Sequence, residues 1–199
     1  MEVALIVLLT ALLAAAVAFV PVVLFAKRRP GYSHIRQTIS ELGETGAPDA
    51  KKVAIFAFAP AGHTIWLFVA ALAFAVPQLS EGPGLWLFAL LGAAYVGAAM
   101  FPCDPGAPLW GTWRNNLHNL LAGIGYLGAI AGMIELGRAM EDVPVLQSIA
   151  EFSQLMGQAT LFGVFLLSFP SPIRGLIQRI VEAVFYGWML LVAVTLLVN

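Results

Sequence analysis

Polar residues form their longest run at Ser33-His34-Ile35-Arg36-Gln37-Thr38-Ile39-Ser40-Glu41-Leu42-Gly43, between one long apolar segment and a return to apolar sequence. Within this run, Ile35, Ile39 and Leu42 recur at helical spacing, which predicts one apolar face. Ser33 is a favourable helix N-cap, and Gly43 is favourable just beyond a helix end. We therefore expect a short amphipathic helix that covers one end of a helical bundle.

The composition indicates that the solvent of this bundle is the lipid bilayer. Hydrophobic residues make up 60% of the chain and charged residues only 11%, which are too few charges for the surface of a soluble domain. The formal net charge of -1 provides no field that would attract nucleic acid. Cys103 is the single cysteine, so no intramolecular disulfide can form. Its thiol is also a candidate nucleophile, although a lone cysteine near a helix end is more often structural.

Six segments are apolar over roughly the 20 residues that a membrane-spanning helix requires. They cover residues 3–26, 53–76, 84–101, 117–137, 148–169 and 180–198. The connections are short, so we expect antiparallel neighbours in one all-α domain, a six-helix transmembrane bundle over residues 1–199. Prolines inside the first two helices predict local distortions. Small residues at i, i+4 spacing predict close helix contacts at Ala93 with Gly97 and at Gly128 with Gly132.

The basic residues predict the orientation of the bundle, because they concentrate in cytoplasmic loops. Nine of the ten Lys and Arg residues fall in the first, third and fifth connections, and only Arg138 falls on the opposite side. Both termini are therefore expected outside, with the odd-numbered connections in the cytoplasm. Glu2 is the only charge before the basic cluster that starts at Lys27. This order indicates a retained first helix rather than a cleaved signal peptide.

A polar cluster is expected at the cytoplasmic end of the bundle. Ser40 in the polar run, Asp104 after the third segment and His118 at the start of the fourth should lie at one membrane level. Together such side chains could support proton-transfer-assisted hydrolysis of a lipid bond, so these three are the candidate catalytic residues. The alternative is a hydrogen-bond network that only holds the bundle closed. The same side chains could instead bind a metal ion, but their spacing matches no metal-binding motif, so no metal site is predicted.

Four further residues are candidate ligand-binding groups at the same level. Arg114 and Asn115 lie where the fourth helix begins, and a helix N-terminus with such donors could hold an anion such as a lipid phosphate. His34 and Arg36 offer polar side chains on the covering helix. For Arg114, which follows Trp113, anchoring at the membrane interface is the alternative.

A second polar group lies within the apolar segments, where ionisable side chains are costly unless they are paired or hydrated. Five residues are expected to line an outward-facing polar cavity of the kind that a proton or solute path requires: His63, Glu135, Glu151, Gln154 and Gln158. Glu182 adds a polar level near the cytoplasmic side of the sixth helix. The alternative is hydrogen bonding between helices. No cofactor is expected, since His63 and His118 differ in depth by about 15 Å at about 1.5 Å per residue, too far to ligate one haem.

Three elements resemble a known pattern: Ile-Ser-x-Leu-Gly at residues 39–43, Phe-Pro-x-Asp at residues 101–104, and His118 soon after. The pattern is similar to that of the prokaryotic membrane family named domain of unknown function 998. The resemblance implies six helices and no established activity. Members of that family often carry a Gly beside the histidine and a second His after it, whereas this chain has Asn119 and no second His, which weakens a metal site. A remote similarity to eukaryotic six-helix proteins implicated in lipid remodelling favours lipid handling.

The sequence leaves three functions open. The first is a lipid-interacting or lipid-modifying protein of a prokaryotic cell membrane, with membrane lipids as partners. The second is a small proton-coupled carrier built on His63, Glu151 and Gln158, and the third is a non-catalytic membrane scaffold. Self-association into a homo-oligomer is also left open. Whether the protein is an enzyme depends on the geometry of the cytoplasmic cluster.

Overall fold

The computed structural model describes residues 1–199 and contains six long helices and no strand. Their bounds are Glu2–Arg28 (α1), Ala50–Ala75 (α2), Gly84–Met100 (α3), Trp113–Met140 (α4), Ala150–Leu167 (α5) and Arg174–Val198 (α6). Each helix overlaps one predicted apolar segment, so the prediction of an all-helical chain is confirmed. Four helices, α1, α2, α4 and α6, are long and apolar enough to cross a membrane, and α3 is shorter but apolar. These helices indicate an integral membrane protein.

The six helices form a closed ring around an aromatic centre. Each helix packs against the next along the chain, and α6 returns to pack against α1. Phe68, Phe88, Phe185 and Trp188 fill the middle, and all four are 0% exposed. Their ring centroids lie 4.8 to 6.5 Å apart in edge-to-face or tilted pairs, the arrangement that aromatic quadrupoles favour. The ring therefore encloses a packed core rather than a continuous pore.

Glycines on α4 allow a close approach to α3. A Cβ atom at Gly132 would stand 2.6 Å from the backbone nitrogen of Phe88, and one at Gly128 would also meet α3 backbone within 3 Å. Gly97 lies equally close to a side chain of α4. Three of the four predicted small residues thus lie at helix contacts, whereas Ala93 lines a groove between α2 and α3.

A π-helical turn interrupts α2 at Ala54–Phe58, just before Pro60. Proline cannot donate a backbone hydrogen bond and its ring crowds the preceding turn, so a wider turn accommodates it. The distortion predicted at Pro60 takes this form. The turn also brings Phe58 beside the first loop, where a Cβ on Gly43 would stand 2.8 Å from the Phe58 ring. Gly43 therefore serves close packing, and it is not the left-handed residue after a helix that its position predicted.

The prediction of a covering helix over Ser33–Gly43 is wrong. Only Ser40–Gly43 is helical, as a single 3₁₀ turn, and the residues before it form turns. The predicted apolar face is right for Ile39 and Leu42, which are 4% and 2% exposed, but Ile35 is 53% exposed. The first loop is therefore a compact turn structure with a short helical end.

The backbone of the first loop is not helical because its hydrogen-bonding groups pair with α6. The Ile35 carbonyl accepts from the Leu176 N–H at 2.9 Å. The Ile39 N–H donates to the Gln178 side-chain oxygen at 2.6 Å. Arg179 adds hydrogen bonds to two further carbonyls of the loop. Such tertiary partners satisfy backbone groups that a helix would otherwise pair internally.

The first loop also binds the third loop, so both lie at one end of the ring. Arg29 pairs with the Glu44 carboxylate, whose other oxygen accepts the Gly106 N–H at 2.8 Å. The Thr45 N–H donates to the Cys103 carbonyl at 2.8 Å. We call this end of the ring, formed by residues 27–52, 101–118 and 168–179, the basic end. It carries the nine basic residues that the sequence groups together.

Candidate functional site

Ser40 and His118 form a hydrogen-bonded pair at the basic end. The Nε2 atom of His118 lies 3.0 Å from the Ser40 Oγ, and its Nδ1 atom lies 2.9 Å from the Phe101 carbonyl oxygen. A carbonyl oxygen can only accept, so Nδ1 carries the proton and Nε2 accepts the hydrogen of the Ser40 hydroxyl. This is the geometry of a serine nucleophile beside an oriented histidine base. We call these two residues the Ser–His pair.

Each member of the Ser–His pair is held by packed structure. His118 lies in the second turn of α4 and is 3% exposed, while its Phe101 partner ends α3. Ser40 begins the 3₁₀ turn, and a cluster of apolar residues from α1 and α2 packs beneath that turn. The Ser40 carbonyl accepts from the Cys103 thiol at 3.5 Å. Three separate elements of the chain thus fix the pair.

Asp104 is not the third member of this site. Its carboxylate accepts from the Thr112 N–H at 2.7 Å and from the Thr112 hydroxyl at 2.8 Å. Its own N–H donates to the side-chain oxygen of Asn115 at 3.0 Å, and Asn115 donates onward to the Pro108 carbonyl. Asp104 and Asn115 therefore shape the third loop and, through Thr112, cap α4. The predicted triad is reduced to a pair.

Two half-open chambers flank the Ser–His pair. The upper chamber, about 60 Å³, lies toward the loops, and its other lining residues include Thr38, Ala107, Asn119, Leu167 and Arg174. The lower chamber, about 40 Å³, lies between the helices, and its other lining residues include Phe58, Leu91, Tyr95 and Glu182. Both chambers combine polar groups with apolar walls. An amphipathic ligand fits such a lining better than a fully hydrated solute.

A buried carboxylate lies in the wall of the lower chamber. Glu182 is 2% exposed and accepts hydrogen bonds from the Tyr95 hydroxyl at 2.7 Å and the Tyr126 hydroxyl at 2.5 Å. Gln178 donates to the Tyr126 oxygen at 3.0 Å, which extends the network to the first loop. The Tyr186 hydroxyl is buried and has no hydrogen-bond partner. The network links α3, α4 and α6 beneath the Ser–His pair.

Sequence reasoning did not identify Tyr95, Tyr126, Gln178 or Arg174 as site residues. A signal for two of them was present, because Arg174, Gln178 and Glu182 are four residues apart and lie on one face of α6. A polar stripe of this kind on an otherwise apolar helix indicates a face that meets other polar groups. The tyrosines carry no comparable signal, since aromatic residues are common in membrane helices.

The remaining candidate ligand-binding residues lie outside both chambers. Arg36 is exposed in the first loop. Arg114 is also exposed and stacks on the ring of Trp113 at 5.0 Å, which is the arrangement expected of an interfacial anchor. His34 accepts a hydrogen bond from the Arg179 Nε at its Nδ1 atom, at 3.1 Å. These three residues do not converge on the Ser–His pair.

We expect His34 to make the stability of the protein depend on pH. Its pKa is lowered by partial burial and by the positive charge of Arg179. The unfolded chain therefore takes up a proton near the ordinary pKa of about 6.5, where folded His34 does not. Stability should fall as the pH drops below that value, by less than about 1 kcal/mol because the residue is partly exposed.

Thermal unfolding of the detergent-purified protein at pH 7.5 and 5.5 measures this effect. His34→Gln should reduce the loss at pH 5.5, because the Gln oxygen still accepts from Arg179 but cannot be protonated. His63→Gln is the matched control, since His63 is exposed and its ring hydrogen bonds only to a carbonyl of its own helix. An unchanged pH response in His34→Gln would contradict the assignment.

Cys103 is a structural residue. Its side chain is 0% exposed, and burial, followed by the nearby negative charges of Glu44 and Glu41, raises its pKa to about 12. The thiol therefore stays protonated at neutral pH, and a protonated thiol is a poor nucleophile. Among the residues of this end, Ser40 is the better placed nucleophile.

The five intramembrane residues do not form the shared cavity that was expected. His63, Glu151 and Gln158 are exposed on outer faces of the ring. The other two pair locally: Glu135 with Arg138 at 2.6 Å, and Gln154 with the Glu141 carboxylate at 2.7 Å. Helical spacing predicted which of these residues share a face of their own helix, but not which way that face turns in the ring. The carrier hypothesis therefore lacks a polar path at these positions.

The three motif elements singled out in the sequence converge around His118. Residues 39–43 supply Ser40, residues 101–104 supply the carbonyl of Phe101, and α4 supplies the imidazole. A family model described as protein of unknown function DUF998 matches residues 12–195. The chain belongs to this family. Searches of curated proteins and of solved structures found no match.

The geometry of this DUF998 member also bears on metal binding. No group of three or more His, Cys, Asp or Glu side chains comes together in a way that could hold a metal ion. His118 uses both ring nitrogens for hydrogen bonds to protein groups. In this chain the motif histidine thus hydrogen bonds to the serine hydroxyl and to a backbone carbonyl.

Proposed function

We propose that this protein hydrolyses an ester bond of a membrane lipid, with Ser40 as the nucleophile and His118 as the general base. The single observation that carries the proposal is the His118 ring held between the Phe101 carbonyl and the Ser40 hydroxyl. The bond to the Phe101 carbonyl places the ring proton on Nδ1, so that Nε2 is unprotonated and can take the proton of the Ser40 hydroxyl. Apolar walls beside the polar pair support a lipid as the substrate.

The reaction would proceed in two balanced steps. Ser40 Oγ attacks the carbonyl carbon of the ester, its proton passes to His118 Nε2, and His118 returns that proton to the departing alkoxide oxygen. Water then attacks the acyl group on Ser40, gives a proton to His118, and the serine oxygen leaves and regains it. The products are a carboxylic acid and an alcohol. The Phe101 carbonyl stabilises the imidazolium by accepting the Nδ1 hydrogen.

The proposal includes a place in the membrane. We propose that the six helices all cross the cell membrane of a prokaryote, with both termini outside and the basic end in the cytoplasm. The concentration of nine basic residues at that end supports this orientation. The Ser–His pair would then face the inner leaflet at headgroup depth, and the partners of the protein would be membrane lipids.

A fluorophosphonate probe tests the function, because it reacts covalently with activated serines. The detergent-purified protein should gain one adduct by intact-mass analysis, and peptide mapping should place it on Ser40. Ser40→Ala and His118→Ala should lose the adduct. Ser33→Ala is the matched control, since Ser33 is also a first-loop serine but bonds only to loop residues. Equal labelling of the wild type and Ser40→Ala would overturn the proposal.

A scaffold is the second candidate, because the same bond also fastens the first loop to α4. In that case Ser40→Ala would lower stability by about 1 kcal/mol, the usual net value of one hydrogen bond, and the folded wild type would show no adduct at any serine. Thermal unfolding of the wild type and of Ser40→Ala, together with the labelling result, separates the scaffold from the hydrolase. Labelling of Ser40 in a folded wild type excludes a purely structural role.

A further inference from the structure

The upper chamber contains one charged residue, and that residue has no counter-ion. Among the residues that line it, Arg174 alone carries a formal charge. None of the four ion pairs of the protein involves Arg174. Its Nη1 donates to the Ala107 carbonyl at 2.7 Å and its Nε to the Leu167 carbonyl at 3.2 Å. These bonds orient the guanidinium, and no carboxylate oxygen lies within 4.0 Å of its nitrogens.

Two acidic groups of the first loop already have other partners. Glu44 pairs with Arg29 and accepts the Gly106 N–H. The Glu41 carboxylate accepts from both the backbone N–H and the hydroxyl of Thr38, at 2.6 and 2.9 Å. Arg174 therefore faces a chamber that offers it no protein anion. A partly buried cation of this kind favours an anionic ligand.

The other Arg174 nitrogen completes the case. Nη2 makes no hydrogen bond within the protein, whereas the Asn119 and Gln178 amides beside it are already donating. A planar guanidinium binds phosphate oxygens through parallel N–H donors better than any other side chain. At about 60 Å³, the chamber has space for about five water-sized groups, which is about the size of one phosphate.

We propose that Arg174 binds the phosphate of a phospholipid headgroup in the upper chamber, and so selects phosphate-bearing lipids as substrates. The inference rests on the proposed function for the reaction at Ser40, but the binding itself does not depend on it. Ser40 and His118 line the same chamber, so a lipid held by its phosphate would present a bond near its headgroup to the Ser–His pair. Arg174 is a specificity residue in this scheme.

Binding to the purified protein in a neutral detergent tests the proposal. The probes are dioleoylphosphatidylglycerol, dioleoylglycerol, which lacks the phosphate, and inorganic phosphate, and the readout is native mass spectrometry with thermal unfolding. The wild type should bind phosphatidylglycerol at least tenfold more tightly than dioleoylglycerol. Arg174→Gln should lose about tenfold in affinity, in line with a charge-assisted hydrogen bond, and Arg174→Lys should fall between the two.

Arg114→Gln is the matched control, because it removes the same charge from the same end of the molecule at an exposed site. It should change the affinity less than twofold. Equal losses in Arg174→Gln and Arg114→Gln, or no loss in either, would overturn the subsite. Competition by inorganic phosphate only when Arg174 is present supports it, whereas equal affinity for inorganic phosphate and for the lipid would overturn the headgroup as its occupant.

The fluorophosphonate adduct separates this proposal from the proposed function. Loss of phosphatidylglycerol binding in Arg174→Gln with Ser40 still labelled supports a specificity role and shows that the variant keeps the folded Ser–His pair. Arg174-dependent binding without any adduct in the wild type supports the phosphate subsite and refutes the hydrolase. Labelling of Ser40 without Arg174-dependent binding supports the hydrolase and refutes the phosphate subsite.

Discussion

Arg29→Gln should lower the free energy of unfolding by about 3 kcal/mol, because it leaves a buried carboxylate without its cation. The Arg29 side chain is 20% exposed and that of its partner Glu44 is 9% exposed. Arg29 also donates to the Glu41 carbonyl within the 3₁₀ turn. The substitution therefore removes the charge that joins the end of α1 to the first loop.

Arg28→Gln is the control for this prediction. Its ion pair with Asp49 spans 3.6 Å and its side chain is 61% exposed, so its loss should cost far less than the loss of Arg29. The double variant Arg29→Gln, Glu44→Gln should recover part of the loss, since it buries neither charge alone. Thermal or denaturant unfolding in detergent measures all three. Equal effects of Arg28→Gln and Arg29→Gln would show that the buried pair is unimportant.

Gly132→Ala should destabilise the protein by about 2 kcal/mol, the typical cost of overpacking. A Cβ atom there would meet the Phe88 backbone nitrogen at 2.6 Å and the Gly84 carbonyl oxygen at 2.8 Å. Backbone atoms cannot turn aside as a side chain can, so α3 and α4 must separate. The seam between these helices carries both Phe101 and His118 at its basic end, so labelling of Ser40 should also weaken.

Gly123→Ala provides the same chemical change on the same helix. A Cβ at Gly123 would have no atom of another element within 4 Å, and alanine is the better helix former by about 1 kcal/mol. This variant should be as stable as the wild type or slightly more so. The difference between the two alanine variants, measured by unfolding, isolates the helix contact from the helix propensity. A destabilised Gly123→Ala would contradict the explanation.

The sequence predicted most of the architecture because length and hydropathy act locally. A run of apolar residues specifies a helix whatever it packs against, so six helices could be predicted with ends that differ by a few residues. The first loop could not be predicted in this way. Its apolar residues do recur at helical spacing, but the backbone groups of Ile35 and Ile39 hydrogen bond to α6. A local sequence pattern carries no information about a partner that lies far along the chain.

The candidate site was predicted only in part, because local sequence patterns give the depth of a residue in the membrane but not its partners. Ser40 and His118 could be placed at one membrane level from charge and segment length, and they do meet. Asp104 lies at that level too, but the depth of a residue does not specify which way its side chain points. Its carboxylate hydrogen bonds to Thr112 instead. Membrane depth was also not enough to predict the surroundings of His63, which lies on an outer face of the ring. The rotation of each helix about its axis is a property of the whole ring.

The closure of the ring by α6 has a consequence for biosynthesis. The hydrogen bond from Ile39 to Gln178 spans 139 residues, and the bond from Arg179 to Tyr32 spans 147. Both bonds need residues of α6, so they cannot form before that helix has been synthesised. Ser40 and His118 leave the ribosome early, but Arg174 and the wall it supplies arrive only with the final helix. The nascent protein would therefore enter the bilayer without a finished site and would acquire it only when insertion of the bundle is complete.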